Sequence, residues 1–176
     1  LQLLLDRGAF LEDSDVHRAT LLRIAITGNH VEGARILLKG GISRLDAGLL
    51  AIAAGKSEEM VELFLSQGAD LNSKGYDFPI LNAIRSGVEK VVAMLMRAGI
   101  DISLQEEALL LAAGEGRLSV VVAVVEHGMP HLVHNFGHSA MLEALRKGNV
   151  EAVKYFLERG CSRASDMARE MLQVYS

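Results

Sequence analysis

The sequence predicts an all-α solenoid, a stack of helix-turn-helix repeats joined by finger loops of alternating length. Three observations predict it. Five alanines (Ala25, Ala53, Ala83, Ala112 and Ala144) each stand 15 or 16 positions before a glycine, respectively Gly41, Gly68, Gly99, Gly128 and Gly160. Each of these glycines closes a strong apolar run, such as Val91-Val92-x-Met94-Leu95-Met96 or Val120-Val121-x-Ala123-Val124-Val125. Two prolines, no tryptophan and few aromatics argue against a β-sandwich and suit small-residue helical packing. A self-similar interval of this length marks repeats that bury their apolar faces only against one another.

Each repeat opens with a short helix. Its apolar positions fall at i, i+3 and i+4: Leu22-Ala25-Ile26, Leu50-Ala53-Ala54, Ile80-Ala83-Ile84, Leu109-Ala112-Ala113 and Met141-Ala144-Leu145. The middle position is alanine each time, as close helix–helix approach requires. A turn follows at Asn29, Ser57, Gly87, Gly116 or Gly148. Glycine, and less easily asparagine, suits a positive-φ turn. Ser57 is the exception, in a repeat one residue shorter between its helices. The second helix has an apolar face wider than a simple amphipathic stripe, as an inner member of a stack would have. The glycine after it is expected to be a left-handed C-cap.

These residues resemble the ankyrin repeat pattern. The best matches are Phe78-Pro79-Ile80-Leu81-Asn82-Ala83, Glu62 to Asn72 and Gly148 to Gly160. The resemblance covers nearly the whole chain as one domain, 1–176: a half-repeat over 1–16, repeats at about 17–43, 44–72, 73–101, 102–131 and 132–162, and a terminal helix over 163–176. The family's T-P-L-H histidine is absent, its positions holding Arg23, Ala51, Leu81, Leu110 and Leu142. Only Pro79 keeps the proline, while Thr20 and Ser139 are expected helix caps.

Length varies between each glycine and the next alanine, from 12 to 17 positions. Long fingers are therefore expected at Glu12–Ala19, Asn72–Phe78 and His131–His138. Ser103-Leu104-Gln105-Glu106 reads as a capping box that starts its helix with no finger before it. Asp46 is placed to do the same for its own repeat.

The resemblance implies a non-enzymatic protein–protein interaction module. Its partner is another protein, met by finger loops and the concave face of the first helices. The finger aromatics Tyr76, Phe78 and Phe136, with His134, are candidate anchors, since exposed aromatics on a rigid support anchor partners. The matching inner-face pairs are Thr27-Gly28, Gly55-Lys56, Arg85-Ser86, Gly114-Glu115 and Arg146-Lys147. Three of the five pairs carry a basic residue, which favours an acidic partner segment. The expected binding set is thus Tyr76, Phe78, Arg85, Ser86, His134, Phe136, Arg146 and Lys147. The alternative is a targeting or regulatory segment of a larger multidomain enzyme, receptor or channel.

Other chemistry finds little support. Net charge is −4 and both signs are spread evenly, so the basic stripe of a nucleic-acid binder is missing. No apolar run approaches the ~18 residues of a membrane span. A single cysteine, Cys161, forbids an internal disulfide and fits an intracellular, cytoplasmic setting. Four histidines (His127, His131, His134 and His138) fall close together, but their phase argues against convergence on zinc. Cys161 matches a packed position after the capping glycine rather than a nucleophile. Phosphate-loop, dinucleotide and hydrolase motifs are absent. No cofactor, metal or catalytic residue is expected.

Overall fold

The computed structural model describes residues 15–39, 47–72 and 78–161. It is all helix among those residues, a repeat solenoid in two compact units, Leu1–Pro79 and Ile80–Ser176.

In the first unit, α1 (Asp15–Thr27) and α2 (Val31–Lys39) form one helical hairpin, and α3 (Ala47–Ala54) and α4 (Glu58–Ser66) form the next. The first helices pack together, α1 on α3, and so do the second ones, α2 on α4. Leu22, Ala25 and Ile26 face Leu50, Ala53 and Ala54 in the core, all buried, with Ala53 fully so. The turn alanine-plus-four residue of α1, Asn29, takes φ 55, the left-handed conformation its short polar side chain tolerates. Ser57, in the shorter repeat, is extended at φ −152 and instead caps α4, its hydroxyl accepting the Met60 amide. Losing one residue from the turn turns the turn residue into a cap.

The second unit contains α5 (Pro79–Ser86), α6 (Glu89–Arg97), α7 (Ile102–Glu115), α8 (Leu118–His127), α9 (Leu132–Lys147) and α10 (Val150–Glu158). Proline at the first position of α5 costs nothing, because that amide has no intrahelical acceptor. One layer is α7 against α9; the other runs α6, α8, α10. Ala112, Ala113 and Ala144 lie fully buried between the layers. A larger side chain there would push the helices apart.

The connections differ from the expected fingers. Residues His131–His138 are not a finger: α9 starts at Leu132 and runs 16 residues. Leu132, Gly137, Ala140, Met141 and Ala144 are buried along it, a helical spacing that continues one apolar stripe through the supposed loop. Gly137, which reads as a turn residue, is a packing glycine: a Cβ there would stand 2.6 Å from the Cys161 sulfur. The same holds for Glu12–Ala19, of which Asp15–Ala19 already belong to α1. Thr20 and Ser139 consequently lie inside helices rather than capping them. Lengthening the first helix absorbs extra residues while keeping the backbone hydrogen-bonded, which a long loop does not. Most of the third expected finger, Asn72–Phe78, lies outside the described residues, as do Gly41, Asp46, the half-repeat 1–16 up to Ser14, and the terminal helix 163–176.

Two further details depart from the sequence pattern. Asp101, not Ser103, holds the N-cap position of α7. Gly68, Gly99 and Gly160 are left-handed as expected, but Gly128 has φ −79. Gly128 is required for a different reason. A Cβ there would lie 2.7 Å from the Val124 carbonyl oxygen and 2.8 Å from Leu132. The left-handed residue of that connection is His131, φ 71, immediately before α9.

Candidate partner-binding surface

The buried alanine of each first helix fixes which neighbours reach solvent. The residue before it is Ile24, Ile52, Asn82, Leu111 or Glu143, and none of these is buried. Ile24 is 57% exposed. Two and three positions after the alanine come the pairs expected to line the inner face. Thr27, Gly28, Lys56, Arg85, Ser86, Glu115, Arg146 and Lys147 are exposed, while Gly55 and Gly114 are half-buried. Within each unit the alanine of every first helix is small and buried, while the residues flanking it are half-buried or exposed and vary between repeats.

The expected binding residues fall into different settings. Arg85, Ser86 and Lys147 stand exposed at the ends of α5 and α9. Arg146 is exposed but engaged: its Nε and Nη2 donate to the two Glu143 oxygens at 2.9 and 2.6 Å. That hydrogen-bonded guanidinium holds the Glu143 carboxyl below its ordinary range, and Arg146 is itself held more firmly protonated. Gly114 of α7 gives the pair room, since a Cβ there would sit 3.3 Å from Glu143 Oε1. Arg146 is therefore half of an ion pair rather than a separate cation of the floor. His134 is exposed and Phe136 half-buried, but both are on α9, not on a finger. Phe78 is half-buried at the entry to α5, and Tyr76 lies outside the described residues.

Three polar residues that the sequence reading passed over join successive repeats. Asn149 donates to the Ala113 and Gly114 carbonyls at 2.8 and 2.7 Å, closing the end of α7. Arg117 donates to the Arg85 carbonyl at 3.3 Å, at the end of α5. Each stands one residue after a turn glycine, a register that was visible in the sequence. Gln105 is the one buried polar side chain among the described residues. It donates to Ile100 O at 3.0 Å and accepts the Met129 amide at 2.7 Å, so it stitches the loop before α7 to the loop before α9. The sequence placed it inside a capping box, and nothing local marked it as buried.

His131, His134, His138 and Cys161 border an open groove of about 940 Å³ beside the start of α9. The His131 and His134 rings meet edge to face at 6.5 Å. Among the described residues no group of His, Cys, Asp or Glu is arranged to hold a metal ion. Burial pushes the Cys161 thiol above its usual pKa, against the opposing pull of Arg159, so the thiol stays protonated at neutral pH. Arg159 stacks over the Tyr155 ring at 3.7 Å, and burial likewise raises the Tyr155 phenol. Both shifts favour the protonated thiol and the neutral phenol.

The profile of ankyrin repeats, in three copies, matches residues 80–167. The chain belongs to the ankyrin repeat family. Ankyrin repeats are generally protein-interaction modules and are typically non-catalytic. The chain is also similar to the ankyrin repeat and KH domain-containing protein mask-1 of Caenorhabditis elegans. The two are 30% identical over 158 residues, 81% of this chain and 6% of that relative. The ankyrin stretch thus spans a small fraction of the relative it matches. Among the described residues no ankyrin helix is long and apolar enough to cross a membrane.

Proposed function

We propose that these ankyrin repeats bind a protein partner through the residues that flank the buried alanines on the first helices of each unit, without catalysis. The observation that carries this reading is the contrast between the buried alanines and their neighbours. The alanine is buried in every repeat, whereas beside it Ile24 is exposed, Ile52, Asn82, Leu111 and Glu143 are half-buried, and all but the two isoleucines differ in chemistry. A row that differs while its scaffold repeats is free to carry specificity. A preformed helical surface also loses little entropy when a partner docks. Arg85, Ser86 and Lys147 at the helix ends belong to the proposed contact set, with the Glu143–Arg146 pair as a neutral element of it. Phe78, Phe136 and His134 flank it.

The test uses a partner captured with the full chain. Ile24→Glu and Leu111→Glu are expected to weaken it at least about tenfold, the loss typical of an interface anchor. Glu62→Lys, on the outer helix α4, is expected to leave affinity unchanged. Equal effects of all three, at equal melting temperature, would remove the positions beside the buried alanines from the account.

A second reading is supported by the relative, whose name joins ankyrin repeats to a KH domain and of whose length this chain spans 6%. In that reading the repeats are the targeting or regulatory segment of a larger multidomain protein. The size of the intact gene product, seen with an antibody to these repeats, decides it.

A further inference from the structure

The long first helices α7 and α9 pack together, and their opening turns are built differently. α7 begins Ile102-Ser103-Leu104-Gln105-Glu106-Glu107-Ala108-Leu109, mostly strong helix formers, and buries Leu104, Gln105, Ala108 and Leu109. Its N-cap residue, Asp101, has an ordinary extended backbone at φ −61, and Gln105 fastens the first turn to Ile100 and Met129. α9 begins Leu132-Val133-His134-Asn135-Phe136-Gly137-His138-Ser139. Every residue after Leu132 in that stretch comes from the lower tiers of the helix-propensity ranking, and Gly137 stands near its foot. Of the stretch only Leu132 and Gly137 are buried, and glycine brings no side chain to the core. The N-cap residue, His131, is left-handed at φ 71, a conformation that costs an L-residue energy, and its side chain makes no capping bond. His138 Nδ1 is buried without a hydrogen-bond partner, a cost that exposure to water removes. The open groove runs along the same turns.

We propose that residues 132–139 are a conformational switch: the first two turns of α9 open on their own while 140–147 stays helical against α7. Opening leaves Ala140, Met141 and Ala144 in the core, so the repeat keeps its packing. It releases Leu132, His134 and Phe136 from the helix. It also lifts Gly137 off the Cys161 sulfur, which lies so close that a Cβ on Gly137 would stand 2.6 Å from it. A segment with few buried contacts and weak local preference opens at far lower cost than the core it adjoins. α7 lacks such a device, because Gln105 ties its first turn to two loops. The switch stands without the partner-binding reading, and gives any partner of this hairpin a second state to select.

Native-state amide exchange of the full chain, read residue by residue by NMR, tests the switch. At equal distance from the two helix starts, Phe136 to Ser139 are expected to be at least about tenfold less protected than Glu106 to Leu109. Dilute denaturant is expected to leave exchange at Phe136 to Ser139 unchanged, because a local opening exposes little surface. His134→Ala with Asn135→Ala alters two exposed residues and raises helix propensity. That double variant is expected to slow exchange at Phe136 to Ser139 about five- to tenfold. Val121→Ala truncates the buried core of α8. It is expected to lower protection of Met141 to Lys147 about tenfold and to leave Phe136 to Ser139 as they were. Equal protection of the two matched sets overturns the switch, and so does a double variant without effect. Loss of protection at Phe136 to Ser139 in Val121→Ala, or in dilute denaturant, in step with the rest of α9 overturns it as well. The segment would then open only with the whole repeat.

Discussion

Asn149 and Arg117 stand at the same place in successive repeats and grip the repeat before them in different ways. Asn149 is half-buried and makes two short bonds to adjacent carbonyls, 2.8 and 2.7 Å. Arg117 is exposed and makes one long bond of 3.3 Å. Both lie over a turn glycine of the preceding repeat: Asn149 over Gly116, Arg117 over Gly87, so closely that a Cβ on either glycine would collide. The short amide is consumed by its structural task. The long guanidinium performs a weaker version of that task and still presents its charge to solvent. One register position thus serves stability in one repeat and leaves a surface group available in the other.

The sharpest way to break this comparison is at the glycines. Gly116 and Gly148 share the same backbone, φ 73 and 76, but only Gly116 is covered, whereas nothing lies within 4 Å of a Cβ on Gly148. Gly148→Ala is expected to cost about 1 kcal/mol, the penalty of a left-handed alanine. Gly116→Ala carries the same penalty and also displaces Asn149, for a total of about 2–3 kcal/mol. Denaturant unfolding of both variants measures the difference, and equal losses would mean that the Asn149 contact contributes nothing. Next in size, Asn149→Ala is expected to cost about 1–2 kcal/mol, because two helix-end carbonyls lose a donor in a half-buried site. Arg117→Ala is the smallest, within about 0.5 kcal/mol, as for other exposed surface groups. An Arg117 loss equal to that of Asn149 would erase the distinction.

The repeat itself was legible because its signals are local. The alanine three positions beyond one apolar residue, and the glycine that ends each second helix, follow from helix geometry and left-handed turns. The finger expected at His131–His138 follows from the 16-position interval between Gly128 and Ala144, which α9 fills with helix instead. Asn135 and Gly137 read as a loop, yet Leu132, Ala140, Met141 and Ala144 keep helical phase through them. Gly137 is small because Cys161 packs against it, a contact between residues far apart in sequence. Arg85 and Lys147 are exposed at the helix ends, as register alone implies. Arg146 was not separable from them, since its pairing with Glu143 depends on side-chain rotamers and on the room left by Gly114.

The sequence by itself determined that this chain is a stack of helix pairs, which residues of each pair are buried and which face outward. Those features are set by periodicity and backbone conformation, and both act within a few residues. Only the tertiary structure decided where the first helices begin, that Gln105 bridges two loops, and that Arg117 and Asn149 bind neighbouring repeats together. These depend on which carbonyl lies opposite a given donor after stacking. That pairing spans about one repeat length and leaves no mark in local pattern.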